Sequence, residues 1–213
     1  MRPAPRALVA VLALAACASA PSRETGALRA ADLVELVRLD PTIKLDVRYA
    51  TARNFVGRPV YTEARAFLQR PAAEALLRAH RALREKGYGL LVFDGYRPWS
   101  VTKLFWEVTP PRLRDFVANP RQGSKHNRGC AVDLSLYELA TGREVEMPSP
   151  YDDFTEKAAP GYPGGTDAQR AARDLLRAAM EAEGFTVEPN EWWHFNHRDW
   201  RLYPILDVPF AGL

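Results

Sequence analysis

Two short stretches hold most of the residues able to do chemistry. Ser124-Lys125-His126-Asn127-Arg128-Gly129-Cys130-Ala131-Val132-Asp133 and Glu191-Trp192-Trp193-His194 together bring two imidazoles and two carboxylates. Two neutral histidines with one carboxylate form a three-ligand set suited to catalytic zinc, leaving the fourth tetrahedral position to water. The second carboxylate is then free to move protons. A third stretch, Asp94-Gly95-Tyr96-Arg97-Pro98, puts a guanidinium on a turn, where it either meets developing negative charge or simply pairs with Asp94.

These residues need elements to position them. Gly89 to Phe93 reads as a buried strand that runs straight into the Asp94–Pro98 turn, and strand ends feeding loops are where sites tend to lie. From Ala131 to Tyr137, alternation puts Val132, Leu134 and Leu136 on one face and Asp133, Ser135 and Tyr137 on the other, so Asp133 faces away from the apolar layer. The same alternation sends Cys130 off the Asp133 face, against a role as nucleophile or further ligand. Phe185 to Val187 and Glu191 to Phe195 are strand-like too. In an ideal strand Glu191 and His194 would point to opposite faces, so the backbone must turn near Trp192 for both to serve one site. Trp192 and Trp193 supply the bulk for such a bend, or pack plainly in the core.

The other elements are helices and a further strand. Pro71 followed by an Ala- and Leu-rich run to Lys86, closed by Gly87, has the proline-first, glycine-last asymmetry of a helix. A second helix is predicted from about Thr166 to Glu183, capped by Thr166 or Asp167 and ended by Gly184. Ile43 to Tyr49 alternates like a half-buried strand, and Asn54 to Pro59 supplies loop chemistry. With no internal repeat and no regular βαβ alternation, the expected class is α+β, helices packed on a mainly antiparallel sheet.

On these motifs the chain resembles the D-alanyl-D-alanine dipeptidases, the VanX-like branch of a zinc peptidase family that also contains D,D-carboxypeptidases. The pattern Ser-x-His-x-x-Gly-x-Ala-x-Asp is met at Ser124, His126, Gly129, Ala131 and Asp133, and Glu-x-x-His at Glu191 and His194. Asp-Gly-Tyr-Arg-Pro stands at Asp94 to Pro98, and Tyr-Ala-Thr-x-x-Asn-Phe at Tyr49 to Phe55. The resemblance implies a zinc site at the sheet face, as in hedgehog-type and D,D-peptidase domains, with His126, Asp133 and His194 as ligands to one zinc ion. It also implies Glu191 as catalytic base and Arg97 as the group that steadies the oxyanion. Asp152 matches the family's ammonium-binding acid, although its neighbour Asp153 is an equally acidic turn residue, and Ser124 and Tyr49 match pocket-lining residues. The implied substrate is a small D-amino-acid dipeptide. A carboxypeptidase that trims peptidoglycan stems, or a zinc-stabilised wall-binding module without turnover, are the alternatives. His197 lies outside the motif and is not expected among the ligands. His80, in a charge-rich helix, is expected at the surface.

Composition is compatible with this and excludes little else. The 213 residues are 47% hydrophobic, enough for one domain with a real core. A formal charge of +3 over 29 basic and 26 acidic residues, with no basic run, gives no reason to expect a nucleic-acid partner. Residues 1–20 read as an export signal: Arg2 and Arg6 precede the apolar stretch Ala7 to Ala16, too short for a stable span of roughly 20 residues. Leu14-Ala15-Ala16-Cys17 resembles a bacterial lipobox, with ordinary cleavage after Ala18 or Ala20 as the alternative. Residues 21–32 then form a tether, and 33–213 the catalytic domain, in a periplasmic or membrane-anchored lipoprotein. With Cys17 lipidated or lost, Cys130 is the one thiol left and no internal disulfide is expected.

Overall fold

A computed structural model describes Pro21 and residues 26–213; the export signal and Cys17 lie outside the described residues. Its centre is a five-stranded sheet in the order β2 (Lys44–Leu45), β4 (Tyr88–Asp94), β5 (Ala131–Glu138), β7 (Glu191–His197), β6 (Phe185–Glu188). Only the β2–β4 pairing is parallel. Leu90, Val92, Val132, Leu134, Leu136 and Phe195 line one face and are fully buried. Against them lie α2 (Arg70–Arg84) and α4 (Asp167–Ala182). Burying each such side chain is worth about 1.5–3 kcal/mol, so this layer supplies much of the stability and leaves the opposite face free for polar work. The α+β class expected from the sequence is the class observed.

Both helices start and stop where local chemistry dictates. Pro71 occupies the first turn of α2, where its missing N–H costs nothing, and Gly87 takes φ +86° just past the end. At α4, Gln169 N–H donates to Thr166 Oγ1 (3.2 Å) while Thr166 N–H donates to Gln169 Oε1 (2.8 Å), a reciprocal capping box.

Two irregularities in the sheet decide what the other face presents. On β4, Val92 pairs with Leu134 and Asp94 with Asp133, so Phe93 is an extra residue. That bulge turns Asp94 onto the Asp133 face, which strict alternation would deny it. On β7, Phe195 pairs with Val187 and Glu191 with Glu188, so Trp192, Trp193 and His194 have no counterparts on β6. The turn anticipated near Trp192 is therefore present. Trp193 is 1% exposed, and Trp192 Nε1–H donates to Ser149 Oγ at 3.0 Å, pinning the loop before Tyr151 to the bulge.

Several features escaped the sequence reading. The strand expected over Ile43 to Tyr49 shrinks to Lys44–Leu45, because after Asp46 N–H reaches Val92 O the chain leaves the sheet as a single turn, Arg48–Ala50. β1 (Leu33–Glu35) leads into the short helix α1 (Leu36–Leu39) and pairs with β3 (Phe67–Gln69) in a separate two-stranded ribbon, and α3 (Trp99–Val108) follows the Arg97 turn. Within the expected tether, Arg29 N–H donates to Leu202 O and Asp32 N–H to Gln69 Oε1, so the chain is held to the body before β1 begins. Among the described residues no helix is long and apolar enough to cross a membrane.

His80 is a correction: it is fully buried, not a surface residue. Its Nδ1 accepts from Leu90 N–H (3.1 Å), so Nε2 carries the proton and donates to Thr42 Oγ1 (2.9 Å), which donates to Asp40 Oδ1 (2.6 Å). The helix periodicity does not reveal this, because the partners come from other segments.

Two tests follow from these burials. His80→Ala strands the Leu90 donor and is expected to cost about 1–3 kcal/mol in urea denaturation at pH 7.5. Burial holds the folded His80 below its ordinary value. The unfolded chain therefore binds the proton first as pH falls, and the His80 contribution is complete above about 6.5 and lost below it. The wild type should accordingly lose more stability than the variant between pH 7.5 and 5.5, and parallel losses would refute the assignment. For Cys130, fully buried with its thiol pushed up to about 12 by burial, no labelling by a thiol reagent at pH 8 is expected until the protein is unfolded.

Candidate metal centre and substrate cavity

Three elements converge on the polar face of the sheet. His126 sits in a single turn, His126–Arg128, that ends at Gly129 with φ +66°. A side chain at Gly129 would collide with Leu33 at 2.4 Å, so glycine permits both the left-handed turn and the close approach that delivers the chain into β5. Asp133 and His194 are direct cross-strand partners on β5 and β7.

The ligand atoms form a tight triangle. His126 Nε2 is 3.1 Å from His194 Nδ1 and 3.3 Å from Asp133 Oδ1, and His194 Nδ1 is 3.1 Å from Asp133 Oδ1. The far side of each ligand is occupied. Gly95 O can only accept, so His126 Nδ1 donates to it at 2.7 Å. Asn196 Nδ2 donates to Glu188 Oε2 (2.8 Å), so its Oδ1 accepts from His194 Nε2 at 2.8 Å. Asp133 Oδ2 accepts from Tyr151 OH at 3.0 Å. Both imidazoles thus turn lone pairs toward Asp133 Oδ1, which is buried without a hydrogen-bond partner. Three acceptors facing one another require a cation. The same demand shows in His194: burial opposes a charge on it, but Asp133, Glu191 and Glu188 outweigh that and raise it to about 9. A divalent metal meets the same demand, and bond lengths of about 2.0–2.2 Å to nitrogen and oxygen place tetrahedral ligands on the order of 3.3 Å apart, as these are.

The other expected site residues surround this triangle. Glu191 Oε2 lies 3.5 Å from His194 Nδ1 across the β7 bulge, and burial pushes its carboxyl up to about 7. Arg97 does pair with Asp94, through Nε at 2.9 Å and Nη2 at 2.6 Å, yet it also lines the cavity, with Nη2 3.6 Å from Asp133 Oδ2. The pairing with Asp94 therefore does not withdraw the guanidinium from the cavity. Asp94 is itself fixed by Tyr61 OH (2.8 Å) and Gly95 N–H (2.9 Å). Tyr49 OH donates to Asp152 Oδ1 at 3.1 Å, while Asp152 Oδ2 is enclosed without a partner. Burial, with Asp133 and Glu191 adding to it, pushes the Asp152 carboxyl well above its usual range. Asp153 does not line the cavity and Asp152 does. Ser124 lines it as well, its Oγ accepting from His126 N–H at 3.2 Å.

His197 and Cys130 stay out. His197 packs on Phe185, its Nδ1 faces Asp199 N–H, and the potential metal cluster comprises His126, Asp133 and His194. Asn127 is a residue the sequence reading passed over: its Nδ2 donates to Arg97 O and Thr102 Oγ1 (both 2.8 Å), and its Oδ1 accepts from Ser124 N–H (2.7 Å). It ties the His126 turn to the Arg97 turn, and nothing but its place inside the Ser-x-His motif hinted at this.

These groups open onto a cavity of about 380 Å³, at the small end of the roughly 300–1,000 Å³ typical of small-molecule sites. Its rim is aromatic: Phe116 stacks on Phe154 at 5.1 Å, and Phe154 packs on Phe55 at 5.0 Å. The enclosed charge is unbalanced. Asp94, Asp133, Asp152 and Glu191 surround the buried Arg97 guanidinium, a deficit of three positive charges when all four are ionised.

The chain is similar to several known proteins. A D-alanyl-D-alanine dipeptidase of Escherichia coli K12 is 31% identical over 180 residues, covering 84% of this chain and 92% of the relative. One from Enterococcus faecium is 35% identical over 190 residues, covering 78% and 92%. Among solved structures, the LD-carboxypeptidase LdcB aligns at 17% identity and a TM-score of 0.45, covering 79% of this chain and 69% of that one. The profile of the peptidase family described as D-ala-D-ala dipeptidase matches residues 29–209. With its ligand triangle, its acid and its guanidinium all inside that matched span, the chain belongs to the D-ala-D-ala dipeptidase family.

Proposed function

We propose that this protein is a zinc-dependent dipeptidase that hydrolyses D-Ala-D-Ala to two D-alanines. The reading is supported above all by two unpartnered carboxylate oxygens at one cavity: Asp133 Oδ1, which with His126 and His194 suits a divalent ion, and Asp152 Oδ2, which suits a substrate ammonium. A free dipeptide brings that ammonium; a stem peptide, amide-linked at the same nitrogen, does not. The relatives named as D-alanyl-D-alanine dipeptidases, each matched over 92% of its own length, point the same way.

The residues divide the work. Zinc bound at the triangle supplies Lewis-acid polarisation of a carbonyl oxygen and lowers the pKa of a water from 15.7 to roughly 7. Glu191 is the base that takes a proton from the attacking water and then hands it to the leaving amine, a task suited to a carboxyl that burial has made more basic than usual. Arg97, held rigid by Asp94, offers its guanidinium to the negative charge that grows on the carbonyl oxygen; losing one such donor typically costs roughly 2.7–4 kcal/mol of barrier. Asp152, steadied by Tyr49, receives the ammonium, and Ser124 lines the floor beside His126. Glu191 and Arg97 in place at one cavity argue against a wall-binding module without turnover.

Location follows from the first residues. We place the enzyme in the bacterial envelope, exported by residues 1–20 and anchored through lipid on Cys17, with residues 21–32 as the tether.

The decisive assay offers the purified enzyme free D-Ala-D-Ala and a muramyl pentapeptide. Turnover of the dipeptide is expected; preference for the pentapeptide would make the protein a carboxypeptidase. Chelation should abolish the activity, and Glu191→Ala should lower kcat by about 10²–10⁴-fold with zinc still bound. For the anchor, mass spectrometry of the mature amino terminus should show acylated Cys17, and a chain that still begins at Met1 would rule out export.

A further inference from the structure

Of the three ligands, Asp133 has the most freedom. Each imidazole offers the triangle one nitrogen and is pinned through the other, whereas a carboxylate carries two equivalent oxygens and can present either or both. The structure resolves that ambiguity with a residue the motifs do not contain. Tyr151 OH donates to Asp133 Oδ2 at 3.0 Å, leaving Oδ1 alone to face His126 and His194.

The hydroxyl is rigidly aimed. The Tyr151 ring packs against Phe93 (4.7 Å between centroids) and edge-on against Trp193 (5.3 Å), and both of those residues belong to the bulges that shape the site. The other group near Asp133 Oδ2 is Arg97 Nη2 at 3.6 Å, and that nitrogen is already committed to Asp94 at 2.6 Å. Without the tyrosine hydroxyl, Asp133 Oδ2 is free to swing toward Arg97 or to turn into the triangle.

Tyr151 is also the chain neighbour of Asp152. Adjacent side chains of an extended strand diverge, but Asp152 has φ +60°, a left-handed backbone that bends the loop so both side chains point inward. One loop thus presents a hydroxyl to the metal ligand and a carboxylate to the substrate cavity, and it is anchored from behind by the Trp192–Ser149 hydrogen bond.

We propose that Tyr151 is a positioning residue for the metal: through Asp133 Oδ2 it fixes the aspartate as a one-oxygen ligand and keeps it from Arg97. This rests on the metal site proposed above. Partners behind a metal ligand typically account for 10–100-fold in affinity or activity. Tyr151→Phe removes the hydroxyl and keeps the ring that packs on Phe93 and Trp193, which makes it a clean probe.

The test measures zinc affinity of the full chain by competition with a chromophoric chelator, alongside metal-free thermal stability and steady-state kinetics. Tyr151→Phe is expected to weaken zinc by about 10-fold or more, with kcat lowered and KM for D-Ala-D-Ala within about twofold of wild type. Its metal-free Tm should move by no more than about 4 °C. Asp152→Asn, on the same loop, should do the reverse, raising KM while zinc affinity holds. Equal zinc affinity in wild type and Tyr151→Phe overturns the proposal and leaves the dipeptidase reading intact. A loss of affinity matched by collapse of the metal-free protein also overturns it, by showing the hydroxyl to be purely structural. Failure of the wild type to bind zinc at all would remove the proposed function and this inference with it.

Discussion

The site is organised around an electrostatic demand: two imidazole lone pairs and a carboxylate oxygen are brought within 3.3 Å of one another, with no hydrogen-bond donor left for the oxygen. Such an arrangement is stable only around a cation, so the surroundings can be understood as what holds three acceptors together against their repulsion. A carbonyl grips His126, an amide grips His194 and a phenol grips Asp133, each from the side away from the triangle. Each grip fixes a tautomer or an oxygen as well as a position, because the atom that donates or accepts behind determines which atom is free in front.

A regular sheet could not deliver these groups. Alternation puts neighbours on opposite faces, yet the site needs Asp94 beside Asp133 and Glu191 beside His194. The bulge at Phe93 and the unpaired Trp192–His194 segment supply the two phase shifts required. Bulges bend and twist a strand at a cost in pairing, and here the large side chains at the shifted positions recover that cost by burial: Phe93 is fully buried, Trp192 2% and Trp193 1% exposed. The same aromatic residues hold Tyr151, so the distortion of the sheet and the orientation of Asp133 share one packing unit.

Low dielectric multiplies every charge in this cavity. His126 and His194 hold the Asp133 carboxyl below its ordinary range against the cost of burying it, while burial, Asp133 and Glu191 push Asp152 upward and burial, Asp133 and Glu188 push Glu191 upward. Acidic groups thus dominate the enclosed part of the cavity, the ones on which the proposed metal and ammonium sites rest. Phe55, Phe154 and Phe116 add an apolar wall beside these charges.

Much of this was legible in the residues. The helices announced themselves through Pro71, Gly87, Thr166 and Gly184, the inward face of β5 through alternation at Val132, Leu134 and Leu136, and the ligand types through two motifs whose chemistry leaves few alternatives. Even the bend at Trp192 was required once Glu191 and His194 had to share a site. These are local matters, fixed by backbone sterics and by side-chain periods of two or 3.6 residues. What only the tertiary structure decided depends on contacts between distant segments. His80 is polar on its helix, yet is buried because Thr42 and Leu90 complete its hydrogen bonds. Ile43 to Tyr49 has a strand's pattern, but the chain leaves the sheet after two paired residues and turns toward the cavity. Tyr151 and Asn127 gain their roles from partners 18 and 30 positions away, and Asn196, next but one to His194 on β7, is oriented by Glu188 from β6. Sequence determined which groups could bind and transfer charge; the crossing of strands and loops decided which atom of each faces inward.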